Sequence, residues 1–122
     1  MGLSREKAIE RILKTTEEKP ILIQADAPGY AEPEKLSFYG GYNNKKYTPD
    51  VVINYEDHAD FFAIESAINK KVLSDALPKW ILFSSAAKKK NGMFYLVVDK
   101  GKRDAFLEVI NSKQITARVI GI

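Results

Sequence analysis

Pro49-Asp50-Val51-Val52-Ile53-Asn54-Tyr55-Glu56-Asp57-His58-Ala59-Asp60-Phe61-Phe62-Ala63-Ile64-Glu65 is the stretch that decides the fold. Val51 to Tyr55 and Asp60 to Glu65 are short runs rich in β-branched, aromatic and apolar residues, and Glu56 to Ala59 is a polar turn, so the stretch reads as an antiparallel hairpin. With a turn of four residues, Tyr55 faces Asp60 and every opposed pair of residue numbers sums to 115, which sets Asp50 opposite Glu65. Directly opposed residues share a face of the sheet, with Cβ atoms about 4.5–5.5 Å apart, and like charges placed there destabilise the pair. A divalent cation relieves that repulsion and takes both carboxylates as hard oxygen ligands. Magnesium suits such a site, because one or two carboxylates together with waters and phosphates commonly hold it. In any other register the two acids are solvated strand ends.

Outward from the hairpin, the rest of the chain falls into alternating elements. On the N-terminal side, Ser4 is placed to cap a helix running to about Glu18, which Pro20 stops, and Ile21 to Ile23 is a short apolar strand. A loop rich in turn formers, from Asp26 to about Thr48, joins that strand to the hairpin, with Lys35 to Tyr39 extended within it. On the C-terminal side, a helix is expected from Ser74 or Asp75 to Lys90. Pro78 would stand in its first turn, Leu77, Trp80, Ile81, Ser84 and Ala87 would face inward, and Asn91-Gly92 would end it. Met93 to Val98 is an unbroken apolar run, the mark of a central strand covered on both faces. A helix over Arg103 to Asn111 and a strand over Ile115 to Ile120 complete the order αβββαβαβ. The expectation is one α/β domain over residues 1–122, with a mixed sheet and helices on both faces.

Composition narrows the chemistry. The 122 residues include no cysteine and one histidine, His58, which excludes thiolate metal sites, cysteine nucleophiles and multi-histidine metal sites. No apolar run is long enough to cross a membrane, and the first residues lead into a charged helical pattern, so a cytoplasmic protein is expected. The net charge of +3 conceals an asymmetry. Residues 1–66 hold 8 basic and 12 acidic side chains, a balance of −4, and residues 67–122 hold 11 and 4, a balance of +7. An acidic half joined to a basic half suggests a polyanionic partner.

Tyr47-Thr48-Pro49-Asp50-Val51-Val52-Ile53, followed by Phe62-Ala63-Ile64-Glu65, resembles the PD-(D/E)XK nuclease superfamily, which includes restriction endonucleases and archaeal Holliday-junction resolvases. That pattern has Pro-Asp on one strand and Asp/Glu-x-Lys on the next, within a core of helix, three strands, helix and strand. The resemblance covers most of the chain and implies a restriction-endonuclease-like fold. It also implies a nuclease that hydrolyses phosphodiesters of DNA or RNA with Mg2+ or Mn2+ as cofactor. Asp50 and Glu65 would hold the metal, joined by an acid of the first helix. Glu6, Glu10 and Glu17 border the apolar face of that helix, and Glu10 best matches the helical Glu of resolvases. The family lysine would stand two residues after the second acid, where this chain has Ala67. Either Lys70 or Lys71 reaches back to replace it in catalysis, or the module is inactive and serves nucleic-acid binding or protein assembly.

Lysines supply the contacts a nucleic acid, DNA foremost, would need. Lys70, Lys71, Lys79 and the run Lys88 to Lys90 surround the second long helix, and Lys88 to Lys90 also suit a helix C-terminus on electrostatic grounds alone. The loop Tyr39 to Tyr47 adds Lys45 and Lys46 among tyrosines and asparagines just before Asp50. The candidate nucleic-acid contacts are therefore Lys45, Lys46, Lys79 and Lys88. A domain this small cannot enclose a duplex, so a homodimer or a place in a larger complex is expected. Trp80 and Phe83 read as core residues and His58 as an exposed turn residue.

Overall fold

The computed structural model describes residues 4–14, 20–37 and 46–122. They form a small α/β domain of five strands and three helices in the order α1 (Arg5–Lys14), β1 (Leu22–Ala25), β2 (Val51–Asn54), β3 (Ala59–Glu65), α2 (Lys70–Lys89), β4 (Phe94–Val98), α3 (Arg103–Ser112) and β5 (Arg118–Gly121). A single 3-10 turn, Lys100–Lys102, leads into α3. The strands lie side by side in chain order. β1–β2 and β2–β3 pair antiparallel through short or looped returns, whereas β3–β4 and β4–β5 pair parallel because a helix crosses between them. The sheet is therefore mixed. Among the described residues no helix is long and apolar enough to cross a membrane.

Period-two alternation divides the side chains between two cores. On one face Val52, Phe61, Leu96 and Val98 pack with Trp80 and Phe83 of α2 and with Phe106 and Ile110 of α3. On the other, Val51, Ile53, Phe62 and Val97 pack with Ala8, Ile9 and Ile12 of α1. β4 contributes to both, with Phe94, Leu96, Val97 and Val98 all at most 1% exposed, which accounts for its unbroken apolar run.

Three expectations are corrected. The hairpin pairs Val51 with Phe62 and Asn54 with Ala59, so opposed residue numbers sum to 113 and not 115. The turn is shorter than expected: Tyr55 N donates to His58 O at 2.8 Å in the same register and the two rings stack with centroids 4.5 Å apart, so this pair closes the turn over Glu56 and Asp57. A slip of two residues keeps every side chain on its face, so both cores survive it. Next, α2 starts at Lys70, because Asn69 is extended and its side chain accepts from Val72 N at 2.9 Å as an N-cap. Pro78 thus lies in the helix interior, where it removes a backbone hydrogen bond, and not in the first turn. Last, His58 is only partly exposed, being stacked on Tyr55 and bonded through Nδ1 to Asp57. That bond, the largest effect, holds the Asp57 carboxyl below its ordinary pKa.

Candidate functional site

Strand polarity brings the ends of β1 and β3 and the start of β2 to one end of the sheet, where Asp26 follows β1, Asp50 precedes β2 and Glu65 closes β3. Asp50 is displaced by a β-bulge. Its N–H donates to Phe62 O at 3.0 Å, although Phe62 is already paired with Val51, so two residues oppose one. A bulge re-aims a side chain, and the Asp50 carboxylate meets α1. Oδ1 accepts from Arg5 Nε at 2.8 Å and also from Arg5 Nη2, while Oδ2 accepts from Ile64 N at 2.7 Å. The same guanidinium reaches Asp26 Oδ2 through Nη1 at 2.7 Å. Burial by itself would lower the Arg5 pKa, but hydrogen bonds to Asp50 and Asp26 and their charges outweigh it, and the pKa stands above its ordinary value.

Glu65 is engaged from the other face. Its Oε2 accepts from Trp80 Nε1 at 2.7 Å and from Lys79 Nζ at 2.8 Å, both on α2. Trp80 is fully buried and its indole N–H needs an acceptor, which Glu65 supplies. The expected pairing of Asp50 with Glu65 on one face is thus replaced by two separate clusters, Arg5–Asp26–Asp50 toward α1 and Glu65–Lys79–Trp80 toward α2. β3 ends at Glu65, so Ala67 lies in the following loop. Lys70 and Lys71 are exposed on the first turn of α2, and the amine beside Glu65 is that of Lys79. Lys102 Nζ donates to Ser66 O at 2.7 Å and ties this loop to the turn after β4.

The remaining candidates are dispersed. Glu10 is exposed along a groove of about 610 Å³ between α1 and the turn after β1, which Arg5, Glu6, Asp26 and Tyr30 also line. Lys88 stands at the far end of α2, beside the start of β3, where Ala59 N donates to Lys90 O. Lys46 is exposed next to Tyr47, whose backbone bridges Leu36, while Lys45 and Glu17 lie outside the described residues. Sequence reasoning missed Arg5 and Asp26. A cation in the first turn of a helix opposes the helix dipole, and that was the available sign that Arg5 has a specific partner.

As placed, these residues do not fit a shared divalent ion. Both oxygens of Asp50 serve protein donors and Glu65 turns to the opposite helix. Among the described residues no group of three or more His, Asp or Glu side chains is placed to hold a metal ion. No family model, no curated protein and no solved structure matches the chain.

Proposed function

We propose that the chain is a nuclease-like module of the PD-(D/E)XK kind that binds DNA without cutting it. The observation that carries this reading is the separate neutralisation of the two motif acids, Asp50 by Arg5 and Glu65 by Lys79. The order helix, three strands, helix, strand and the position of Pro49-Asp50 and Ile64-Glu65 at one end of adjacent strands support the nuclease-like frame. Ala67 supports the loss of chemistry. Lys70, Lys71 and Lys100 support phosphate contact: they are exposed near that end and have no carboxylate partner among the described residues. Fluorescence anisotropy with labelled duplex DNA across a salt series tests the reading. Each phosphate contact contributes a slope of about −0.9 in log affinity against log salt. Replacing Lys70 and Lys71 by alanine is expected to make the slope shallower by about two such steps. Absence of binding at low salt refutes the proposal.

A second reading, an active nuclease with a displaced lysine, is favoured by Lys79, whose amine lies at the second acid. It predicts Mn2+-dependent cleavage of DNA or RNA that is abolished in Asp50→Asn. Lys79→Ala is then expected to slow cleavage by ~10²–10³, the effect of losing one electrostatic stabiliser.

A further inference from the structure

We infer that the Arg5 guanidinium is the resident cation of this end of the sheet, joining Asp26 and Asp50 where the nuclease resemblance calls for a divalent metal. Asp26 directly follows β1 and Asp50 directly precedes β2, and Asp26 N donates to Asp50 O at 3.1 Å, so the two acids are fixed side by side by the sheet itself. Two carboxylates so placed repel unless a cation lies between them. Arg5 meets this need from three nitrogens, Nε and Nη2 on Asp50 and Nη1 on Asp26. The planar, permanently charged fork suits two carboxylates in a way the single point charge of a lysine does not. Arg5 is also the first residue of α1, where the helix dipole disfavours a cation, so the bridge and not the helix accounts for its position. The bridge ties α1 to both strands as a metal ion would, and with Oδ1 held by Arg5 and Oδ2 by Ile64 N, both Asp50 oxygens already serve protein donors.

The inference rests on the silent-site reading above, but it is tested through metal uptake and thermal stability, so DNA binding can fail without touching it. The electron paramagnetic resonance signal of free Mn2+ is titrated with the native chain, and melting is followed with Mn2+ or with a chelator. The native signal and melting temperature are expected to stay unchanged in both. Arg5→Ala is expected to melt about 3–5 °C lower, the shift that a loss of about 1 kcal/mol produces in a domain near this size. Mn2+ should restore part of that loss in Arg5→Ala and none of it in the Arg5→Ala, Asp50→Asn double variant. Arg5→Lys, which keeps the charge without the fork, should melt between Arg5→Ala and the native chain. Uptake of Mn2+ by the native chain that disappears in Asp50→Asn overturns the inference. So does an Arg5→Ala melting temperature equal to the native one, or one that Mn2+ leaves unmoved. Where Arg5→Ala does not fold, the native titration and Arg5→Lys decide, and Arg5→Lys melting with the native chain counts against the bridge.

Discussion

Glu65 shows how one residue can be legible by type and illegible by role. Its spacing from Asp50 suggested a metal ligand, yet its carboxylate accepts from the buried indole of Trp80 and from Lys79. The demand of a buried Trp for an acceptor was readable in the sequence. Which acid meets it was not, because that depends on where β3 ends and how far α2 extends toward it. Glu65→Gln retains an acceptor for the indole and is expected to cost roughly 1 kcal/mol, whereas Glu65→Leu strands both donors and is expected to cost about 2–4 kcal/mol. Urea unfolding followed by the fluorescence of Trp80, the single tryptophan, measures both. A leucine variant as stable as the glutamine variant would remove the structural role assigned here to Glu65.

The order of elements was legible because apolar period and turn chemistry agree along most of the chain. Met93 to Val98 is long enough only for a strand and its continuity suggests cover on both faces, and β4, Phe94–Val98, is such a strand. Helix ends and phases were less legible. Asn69 was not read as a cap, and the inner face of α2 is Ala76, Trp80, Phe83 and Ala87, rotated from the expected stripe so that Ile81 is 48% exposed. The β-bulge at Asp50 had no local signal at all, since no glycine marks it. Gly92, by contrast, carries more than the helix stop expected of it. A Cβ there would stand 1.7 Å from Ala59 O, a backbone atom of β3, while Gly92 N donates to Ala87 O at 2.9 Å. The residue lets the end of α2 turn tightly against the first residue of β3. Gly92→Ala must separate these elements and is expected to cost about 2–4 kcal/mol. Its denaturation midpoint tests this, and one within experimental error of the native value would show that the contact is easily relieved.

Across the whole molecule the sheet separates two cores and two polar ends, and the charge asymmetry of the sequence does not map onto a single face. Lys70, Lys71 and Lys100 lie toward the end that holds Glu65, whereas Lys88 to Lys90 lie at the other, beside Ala59. One-dimensional charge counting could not separate them, because a helix of 20 residues carries its two termini about 30 Å apart. Tyr95 couples the stability of the whole domain to pH. It stands on β4 with its ring stacked on Phe62 of β3, centroids 4.9 Å apart, within the core that α1 covers. Burial, followed by the negative charge of Asp60, pushes its pKa above the ordinary 10.0, and Arg118 offsets part of this. The folded chain therefore keeps the phenol proton to higher pH than the unfolded chain does. The resulting stabilisation is complete below pH 10.0 and is lost as pH rises through the folded-state pKa, since there the unfolded chain binds fewer protons. Melting temperature is accordingly expected to fall on the alkaline side of pH 10.0, and Tyr95→Phe, which keeps the ring and removes the ionisation, should make that fall shallower. The other five tyrosines remain in the variant, so the comparison isolates position 95. Native and Tyr95→Phe curves that run parallel through the alkaline range would show that Tyr95 titrates alike in the folded and unfolded chains.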